Sequence, residues 1–474
     1  MQHTQHSAAD TDLCRTLLDT IWAAALGTPE DTQSVAFMSE GQLPSFFAVT
    51  DLAAASMGAA GLALASLVQS LEQATGSHTQ APMAVEVDRR LASFWFASTL
   101  RPEGWKLPQH AEVASADYLA KDGWLRLHTN ASHHRDAAIR VLNCAATSEA
   151  MAAAVSTWSR DNLVDRVIAE GGCAATMLSP EQWLLHPQGQ AVLQEPLIHW
   201  TLGSRSQKPC WSFERAQPLK GLKILDMTRV LAGPAATRML AGLGAQVLRL
   251  DPPMWDESNA PEMTLGKKCA ELDLRDNGQR AQWIQLLSKA DVLVHGYRSD
   301  ALASLGLDAQ ARQAIKPGLI DVSLDAYGFS GPWHNRRGFD SLVQMSIGIA
   351  HAGQQFAQSA RPMPLPVQAL DHATGYLLAT AVLRGLEQRI KTGQGSIARA
   401  SLARTGALLM TTMDADAINK PLLAPECSAD CETKIETTVW GPARRIAWPL
   451  TVAGVEMDWT LGAGPLKRHP PSWS

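Results

Sequence analysis

Several features that mark whole classes of protein are scarce in this 474-residue chain. Charged residues make up only 18% of it and the net charge is −5, so we expect no nucleic-acid partner. The seven cysteines are scattered and odd in number, which favours reduced thiols and a cytoplasmic location over a disulfide framework. Cys427 and Cys431 form the one close pair, without a second pair or a histidine cluster to complete a metal site. We therefore expect no bound metal.

A convincing membrane segment is also missing. The first twelve residues have neither the basic region nor the apolar core of a secretory signal. The longest apolar stretch, residues 52–68, is rich in alanine, short for a bilayer span, and flanked by Asp51 and Gln69 rather than by Lys or Arg. A buried helix is the better interpretation of this stretch, so we expect no membrane partner.

Length and the changing pattern of apolar residues predict several domains or segments, because 474 residues exceed one ordinary domain. Residues 1–100 are predicted to form a helical N-terminal segment, and residues 101–200 a small α/β domain of short strands and helices. Residues 201–219 lack periodicity and are predicted to be a linker. Residues 220–410 alternate strands with helices, which predicts a Rossmann-like, doubly wound parallel sheet with ligands beyond the carboxyl ends of its strands. Residues 411–474 are predicted to be an irregular C-terminal extension.

Asp371 stands at the beginning of a long helix with apolar periodicity and is the candidate reactive group. A helix N-terminus carries unsatisfied N–H groups and a partial positive charge, so a carboxylate there should stay ionised in a fixed orientation. The same position suits an ordinary N-cap whose partner is the N–H of Thr374. Helix position alone favours the cap, and the case for a nucleophile depends on the rest of the chain.

A faint internal repeat relates this helix to the N-terminal segment. Residues 56–73 align without a gap with residues 371–388, and both stretches end in Leu-Glu-Gln. Ser56 replaces Asp371 in this alignment, whereas a gapped alternative places Asp51 there. The N-terminal segment is therefore a candidate degenerate half-repeat.

The stretch LDMTRVLAGP at residues 225–234 has the character of a nucleotide-facing turn between a strand and a helix. Gly233 would let the backbone approach a ligand closely, and the helix N-terminus would offer N–H groups to a phosphate. The plain alternative is a tight structural turn. Because no GxGxxG fingerprint is present, Asp251 at the end of the next strand gives only weak support for a dinucleotide cofactor.

Six blocks in residues 217–404 carry a resemblance to a known family: LKGLKILDMTRVLAGPAATRMLAGLGAQVLRLDPP, ELDLRD, ADVLVHGYRSDALASLGLD, KPGLIDVSLDAYGFSGPW, RGFDSLVQMSIG and ALDHATG. Together they resemble the family III CoA-transferases of the CaiB/BaiF type, the group that includes formyl-CoA transferase and the carnitine-CoA transferases. DGWLRLHTN and GGCAATMLSPEQWLLHPQ look like the small domain of that family. The resemblance implies a homodimeric enzyme that moves CoA from an acyl-CoA to a carboxylic acid.

The resemblance also implies roles for individual residues. Asp371 would attack the thioester to give an acyl-aspartyl anhydride and then an aspartyl-CoA thioester. Such a relay conserves the thioester energy, so no cofactor is implied beyond the CoA of the substrate. The implied CoA contacts are Arg229, Val230, Leu231, Ala232, Gly296, Tyr297 and Tyr327. Basic residues that would serve the CoA phosphates are Arg249, Lys267, Lys268 and Arg298.

The order of the parts departs from the family pattern, in which the large domain comes first, then the aspartate helix, then the small domain. Here the small domain precedes the Rossmann-like block, as if the back half of one copy were fused to the front half of the next. The site would then be completed within one chain or across a dimer.

Two other functions stay open. Racemases of this fold carry a proton-transferring histidine where this chain has Phe339, so a racemase would need His351 or His372 instead. The rearranged order also fits a noncatalytic paralogue that partners a full-length transferase.

Overall fold

The computed structural model describes residues 4–76, 83–107, 115–207, 211, 213–298 and 300–473, apart from the side chains of residues 4–12 and 418. Its helices are α1 (Thr4–Ala24), α2 (Val49–Ala74), α3 (Arg89–Trp95), α4 (Ser132–Leu142), α5 (Ser148–Val155), α6 (Arg160–Ala169), α7 (Pro180–Leu185), α8 (Pro187–Gln194), α9 (Ala232–Gly242), α10 (Ala260–Met263), α11 (Asn277–Ser288), α12 (Ala309–Ile315), α13 (Asp340–Ser346), α14 (Ile349–Phe356), α15 (Ala369–Thr392) and α16 (Leu402–Met410). Its strands are β1 (Val35–Met38), β2 (Val85–Asp88), β3 (Leu100–Pro102), β4 (Ala116–Ala120), β5 (Gly123–Leu127), β6 (Ala174–Thr176), β7 (His199–Arg205), β8 (Lys223–Met227), β9 (Gln246–Asp251), β10 (Lys267–Glu271), β11 (Val292–His295), β12 (Ile320–Asp325), β13 (Gln394–Ser401), β14 (Glu436–Thr438), β15 (Gly441–Arg445) and β16 (Leu450–Val452).

A seven-stranded sheet in the order β10-β9-β8-β11-β12-β13-β7 forms the centre of the larger domain. Its first six strands run parallel, and β7 pairs antiparallel with β13 at one edge. The chain moves from β8 through β9 to β10 on one side, whereas β11 lies on the other side of β8. The predicted doubly wound sheet is confirmed, and its order reverses between β8 and β11, where such sheets bind ligands.

Both faces of this sheet are buried. Along β8, Ile224 belongs to one apolar core and its neighbour Leu225 to another, as the two-residue period of a strand requires. The first core also contains residues of α2, α9 and α15, and the second contains Trp283 of α11. The near-continuous apolar composition of the strands follows from this double coverage.

The N-terminal segment is packed into the larger domain. Helix α2 lies along α15, and 94% of its most apolar stretch is buried. Within the described ranges it is the one helix long and apolar enough to cross a bilayer, and its burial is that of a core helix. The predicted helical segment is interrupted by β2, which precedes α3, because Val85 and Val87 face the core while Asp88 caps α3 through the Leu91 N–H at 2.9 Å.

Helices α2 and α15 begin in the same way. The residues before them, Ala48 and Gln368, both have φ −75°, with ψ 63° and 64°. Asp51 and Asp371 are each the third residue of their helix, so the geometry pairs these two aspartates, as in the gapped alignment. Asp51 differs in its partner, because Arg89 forms a buried ion pair with it at 2.6 Å.

Residues 411–474, expected to be irregular, contribute strands to two small sheets. β16 pairs antiparallel with β2, and β15 pairs antiparallel with both β14 and β3. Glu262 in α10 ties these parts to the larger domain. Its carboxylate accepts the N–H groups of Thr99 and Leu100 at 2.9 Å each and lies 3.2 Å from Nη1 of Arg445. The N-terminal and C-terminal segments are therefore anchored at one carboxylate, whose side chain is 15% exposed.

The smaller domain contains an antiparallel sheet in the order β4-β5-β6, covered by α4, α5 and α6. Strand β7 then returns to the larger sheet, so residues 201–205 of the predicted linker continue a strand. Its residues are largely exposed at the sheet edge, so no apolar alternation reveals it in the sequence. Residues 208–210 and 212 of the predicted linker lie outside the described residues.

Candidate active site

A cleft of about 440 Å³ opens at the carboxyl ends of the parallel strands. Its walls include Arg229 and Val230, which follow β8, and Gly296 and Tyr297, which follow β11. Asp371 in the first turn of α15 lines the same space. The cleft therefore lies at the switch point of the sheet, where doubly wound folds bind ligands.

Two glycines permit close contacts around the turn after β8. A Cβ at Gly375 of α15 would lie 2.4 Å from the carbonyl oxygen of Ala232. A Cβ at Gly233 would lie 2.2 Å from the side chain of Thr228 within the turn itself. A larger residue at position 375 would force α15 away from the start of α9, and one at position 233 would distort the turn.

Asp371 is not the N-cap of its helix. Gln368 occupies that position, and Asp371 is the third helical residue, 6% exposed. The carboxylate at this helix end is that of Asp340, the first residue of α13, whose Oδ2 accepts the Asp371 N–H at 2.9 Å. The cap interpretation of Asp371 is wrong, because another helix supplies the acceptor.

The two carboxyl groups form a buried pair that changes the expected charge of Asp371. Burial, followed by the neighbouring Asp340 carboxylate, raises the pKa of Asp371 well above its usual value. Burial also raises the pKa of Asp340 to about 6, against hydrogen bonds from the Asp371 N–H and the Gln344 amide. This direction runs against the expectation that the helix end favours an ionised Asp371, because burial beside a like charge has a larger effect on the pKa than a partial helix charge. The pair titrates as a unit.

The guanidinium of Arg229 lies between two aromatic rings. Its central carbon is 4.8 Å from the ring centres of both Trp255 and Tyr297. Cation–π attraction holds the planar group in this position at the cleft. Among the described residues no hydrogen bond or ion pair engages the Arg229 side chain, so its N–H donors are available to an anionic ligand.

Basic side chains outnumber carboxyl groups along the cleft. The carboxyl groups are those of Asp371 and Asp325, and burial raises the pKa of Asp325 to about 8. The cationic side chains all come from the larger domain and are Arg229, Arg275, Arg298, Arg336 and Arg337. His133 and His134 of the smaller domain also line the cleft, and burial lowers the pKa of both. This balance suits a polyanionic ligand.

The smaller domain closes one side of the cleft within the same chain. His133 and His134 lie in the first turn of α4, and burial, followed by His133 and Arg337, lowers the pKa of His134 to about 3. His128 stacks on Phe339 of the larger domain, with ring centres 3.9 Å apart. The displaced order of the domains therefore still places small-domain residues in the same cleft as Asp371.

The His-Pro-Gln segment of the smaller domain fixes the loop that leads to Arg336 and Arg337. The amide of the fully buried Gln188 donates hydrogen bonds of 2.8 Å to the carbonyl oxygens of Tyr327 and Ser330. A buried amide with both donors used holds its partners rigidly. The segment was visible in the sequence as a motif, and the structure supplies its physical role.

The predicted CoA contacts divide into two groups. Those that line the cleft are Arg229, Val230, Ala232, Gly296 and Tyr297. Leu231 precedes α9 and does not line the cleft. Tyr327 is fully buried, with its hydroxyl 3.0 Å from Oγ of Ser346, and Arg336 lies over its ring at 5.6 Å. Arg336 lines the cleft in its place.

The predicted phosphate-binding residues divide in the same way. Arg298 lines the cleft, whereas Lys268 lines a separate cavity. The side chains of Arg249 and Lys267 are fully buried in ion pairs of 3.0 Å with Asp251 and Asp226. These two cations stabilise the sheet and cannot reach a ligand. Because Asp251 is buried in one of these ion pairs, it cannot bind the ribose of a dinucleotide.

Comparison with known proteins gives a family similarity for the larger domain. Residues 219–427 match the sequence profile of CoA-transferase family III. This part of the chain is similar to the family III CoA-transferases.

The similarity covers part of each relative. An acyl-CoA transferase of Gibberella moniliformis is 31% identical over 271 residues, 53% of this chain and 46% of that protein. The succinyl-CoA:glutarate CoA-transferase of Mus musculus is 31% identical over 232 residues, 46% of this chain and 51% of that protein. A crystal structure from Mycobacterium tuberculosis aligns at 28% identity over 41% of this chain and 58% of that one, with a TM-score of 0.38. The chain spans about half the length of the two relatives.

Asp340 is the partner of Asp371 that sequence reasoning missed. It lies within the block RGFDSLVQMSIG, 31 residues before Asp371. In the sequence, an acidic residue at the beginning of one short helix gives no indication that its side chain accepts a hydrogen bond from the N-terminus of another helix. His133 and His134 were missed because they lie outside the matched range, in the smaller domain.

Proposed function

We propose that this protein transfers CoA from an acyl-CoA thioester to a carboxylic acid through covalent intermediates on Asp371. The observation that carries the proposal is the position of Asp371, whose carboxyl group lines a mainly basic cleft at the strand ends of a domain similar to family III. The relatives named acyl-CoA transferase and succinyl-CoA:glutarate CoA-transferase support this reaction class.

The covalent relay has four balanced steps. The Asp371 carboxylate attacks the thioester carbonyl, the C–S bond breaks, and an acyl-aspartyl anhydride and CoA thiolate form. The thiolate attacks the aspartyl carbonyl of the anhydride and releases the first carboxylate, which leaves an aspartyl-CoA thioester. The acceptor carboxylate attacks this thioester, giving a second anhydride and the thiolate. The thiolate then attacks the acceptor's carbonyl, which forms the new acyl-CoA and frees Asp371.

The protein contributes position and charge to this relay. Asp371 attacks only as the carboxylate, so the Asp340–Asp371 pair, in which burial raises the pKa of Asp371, must leave Asp371 ionised at the first step. Arg229 and the other basic side chains along the cleft offset the charge of the CoA phosphates. Asp371 is 6% exposed, and this burial would limit hydrolysis of an anhydride formed on it.

The deciding experiment is covalent trapping. The purified protein is incubated with a panel of acyl-CoAs that includes succinyl-CoA and glutaryl-CoA, quenched with hydroxylamine, and mapped by peptide mass spectrometry. We expect an aspartyl hydroxamate at Asp371 and none at Asp51, which has the same helix position but a buried Arg89 partner. No adduct with any donor, together with unchanged transfer activity in Asp371→Asn, would exclude the relay.

A second candidate reaction is epimerisation at the α-carbon of an acyl-CoA, favoured by the presence of His133 and His134 in the same cleft as Asp371. A neutral imidazole and a carboxyl group are the two proton-transfer groups that such a reaction needs. His372, considered earlier for this role, is 1% exposed and stacks on Phe96 at 5.2 Å, away from the cleft lining. Deuterium incorporation at the α-carbon without CoA transfer would identify epimerisation as the reaction.

A further inference from the structure

Val230 has an unfavourable backbone conformation at the edge of the cleft. Its φ is 64°, and in the described part of the chain it is the one β-branched residue with positive φ. A β-branched side chain rarely occupies this region, so the surrounding structure must hold it there. Val230 directly follows Arg229, and both residues line the cleft.

The carboxylate of Glu257 holds this turn. Its Oε2 accepts the Val230 N–H at 2.9 Å and the indole N–H of Trp255 at 3.1 Å. Its Oε1 lies 2.8 Å from Nη1 of Arg249, whose guanidinium also pairs with Asp251. The side chains of Arg249 and Asp251 are fully buried, and that of Glu257 is 6% exposed. The buried Arg249 guanidinium therefore holds the Glu257 carboxylate in place.

Glu257 affects the position of Arg229 through two of these contacts. Glu257 fixes the backbone of the residue next to Arg229, and it fixes the Trp255 ring on which the guanidinium lies at 4.8 Å. Without this acceptor, Val230 is free to relax to an ordinary φ, and such a relaxation turns the preceding residue as well.

We propose that Glu257 is a positioning residue for CoA, which holds the strained Val230 turn and the Trp255 ring and thereby directs Arg229 into the cleft. This inference rests on the proposed function, because it takes CoA as the polyanionic ligand. This inference predicts the opposite of a purely electrostatic effect. Removal of a carboxylate near a site for a polyanion should tighten binding of that polyanion, whereas loss of the Glu257 carboxylate weakens CoA binding.

The test measures CoA binding by isothermal titration calorimetry, and the KM and kcat for an acyl-CoA. Glu257→Ala should weaken CoA binding about tenfold and raise KM, with kcat largely retained. Val230→Gly in the Glu257→Ala background should restore affinity, because glycine adopts this φ without strain. Asp256→Asn is the matched control, since it removes one negative charge from the exposed neighbouring residue and should leave affinity equal or tighter.

The rescue separates positioning from general damage to the fold. Val230→Gly cannot replace the partner of Arg249, so it restores CoA affinity without restoring the melting temperature of the Glu257→Ala protein. If Glu257→Ala fails to fold, Glu257→Gln, which keeps one acceptor oxygen, is compared with and without Val230→Gly. Unchanged or tighter CoA binding in the Glu257 variants, or weaker binding without rescue, would overturn the inference. Absence of CoA binding by the wild-type protein would instead overturn the proposed function.

Discussion

The backbone N–H of Asp371 donates a 2.9 Å hydrogen bond to Oδ2 of Asp340, so the carboxylate that fixes the end of α15 also sets the acidity of the group that α15 presents. Asp340 has two opposing effects. It orients Asp371 through the backbone, and its charge raises the pKa of the Asp371 carboxyl. A substitution that separates these effects tests both.

Asp340→Asn keeps an oxygen acceptor for the Asp371 N–H and removes the like charge. The pKa of Asp371 should fall, so the acid limb of the kcat/KM profile should move to lower pH by about one unit. Wild-type and variant profiles, recorded with one acyl-CoA and one acceptor acid, check this expectation. Asp256→Asn should leave the limb in place. An unmoved limb in Asp340→Asn would mean that Asp340 does not control the ionisation of Asp371.

Asp371→Asn should remove activity and increase stability. The folded pKa of Asp371 is raised, so the stability linked to this group is present at low pH and is lost as pH rises through the folded pKa. The variant lacks this loss and should be more stable than the wild type at pH 8 by about 1–3 kcal/mol, with little difference near pH 4. Urea unfolding at both pH values measures this. A pH-independent difference would contradict the assignment.

Asp51→Asn should have the opposite effect on stability, although the two aspartates share a helix position. Its carboxylate pairs with Arg89 at 2.6 Å, and both side chains are buried. The substitution leaves a buried guanidinium without its charged partner, which should cost about 3–5 kcal/mol. Urea unfolding at neutral pH compares it directly with Asp371→Asn. Equal effects of the two substitutions would show that helix position, and not the partner, sets the energetics.

Much of the larger domain was predictable from the sequence, because buried parallel strands are apolar runs between helices. The Asp371 helix and the turn carrying Arg229 were visible for the same reason. Burial of a charge was not visible. Arg249 has the sequence appearance of a phosphate ligand, yet its partners Asp251 and Glu257 hold it inside the sheet. Partners that meet through the fold leave no local pattern in the chain.

Glu262→Gln should loosen both terminal segments. Burial alone would raise the pKa of Glu262, but Arg445, Arg238 and hydrogen bonds from Thr99 and Leu100 lower it to about 2. The stability from this group is therefore present above its unfolded pKa and is lost as pH falls towards 2. The variant should be about 3 kcal/mol less stable than the wild type at pH 7, and the difference should shrink below about pH 4.

Urea unfolding across this pH range measures the effect of Glu262→Gln. Glu271→Gln, which removes an exposed carboxylate 3.4 Å from Lys467, is the control and should change stability by less than about 0.5 kcal/mol. A difference for Glu262→Gln that persists undiminished at low pH would contradict the predicted role of its charge.

Arg229→Lys tests whether the aromatic pair is used in ligand binding. Lysine keeps the charge but lacks the planar group that lies 4.8 Å from both Trp255 and Tyr297. The KM for an acyl-CoA should rise about tenfold while kcat changes little, because the proposed contact of Arg229 is with CoA and not with the reacting carbonyl. Arg140→Lys, at an exposed side chain of α4, should leave both constants unchanged. Equal KM values for Arg229→Lys and the wild type would mean that charge alone is needed at this position, whereas a loss confined to kcat would place Arg229 at the reacting group.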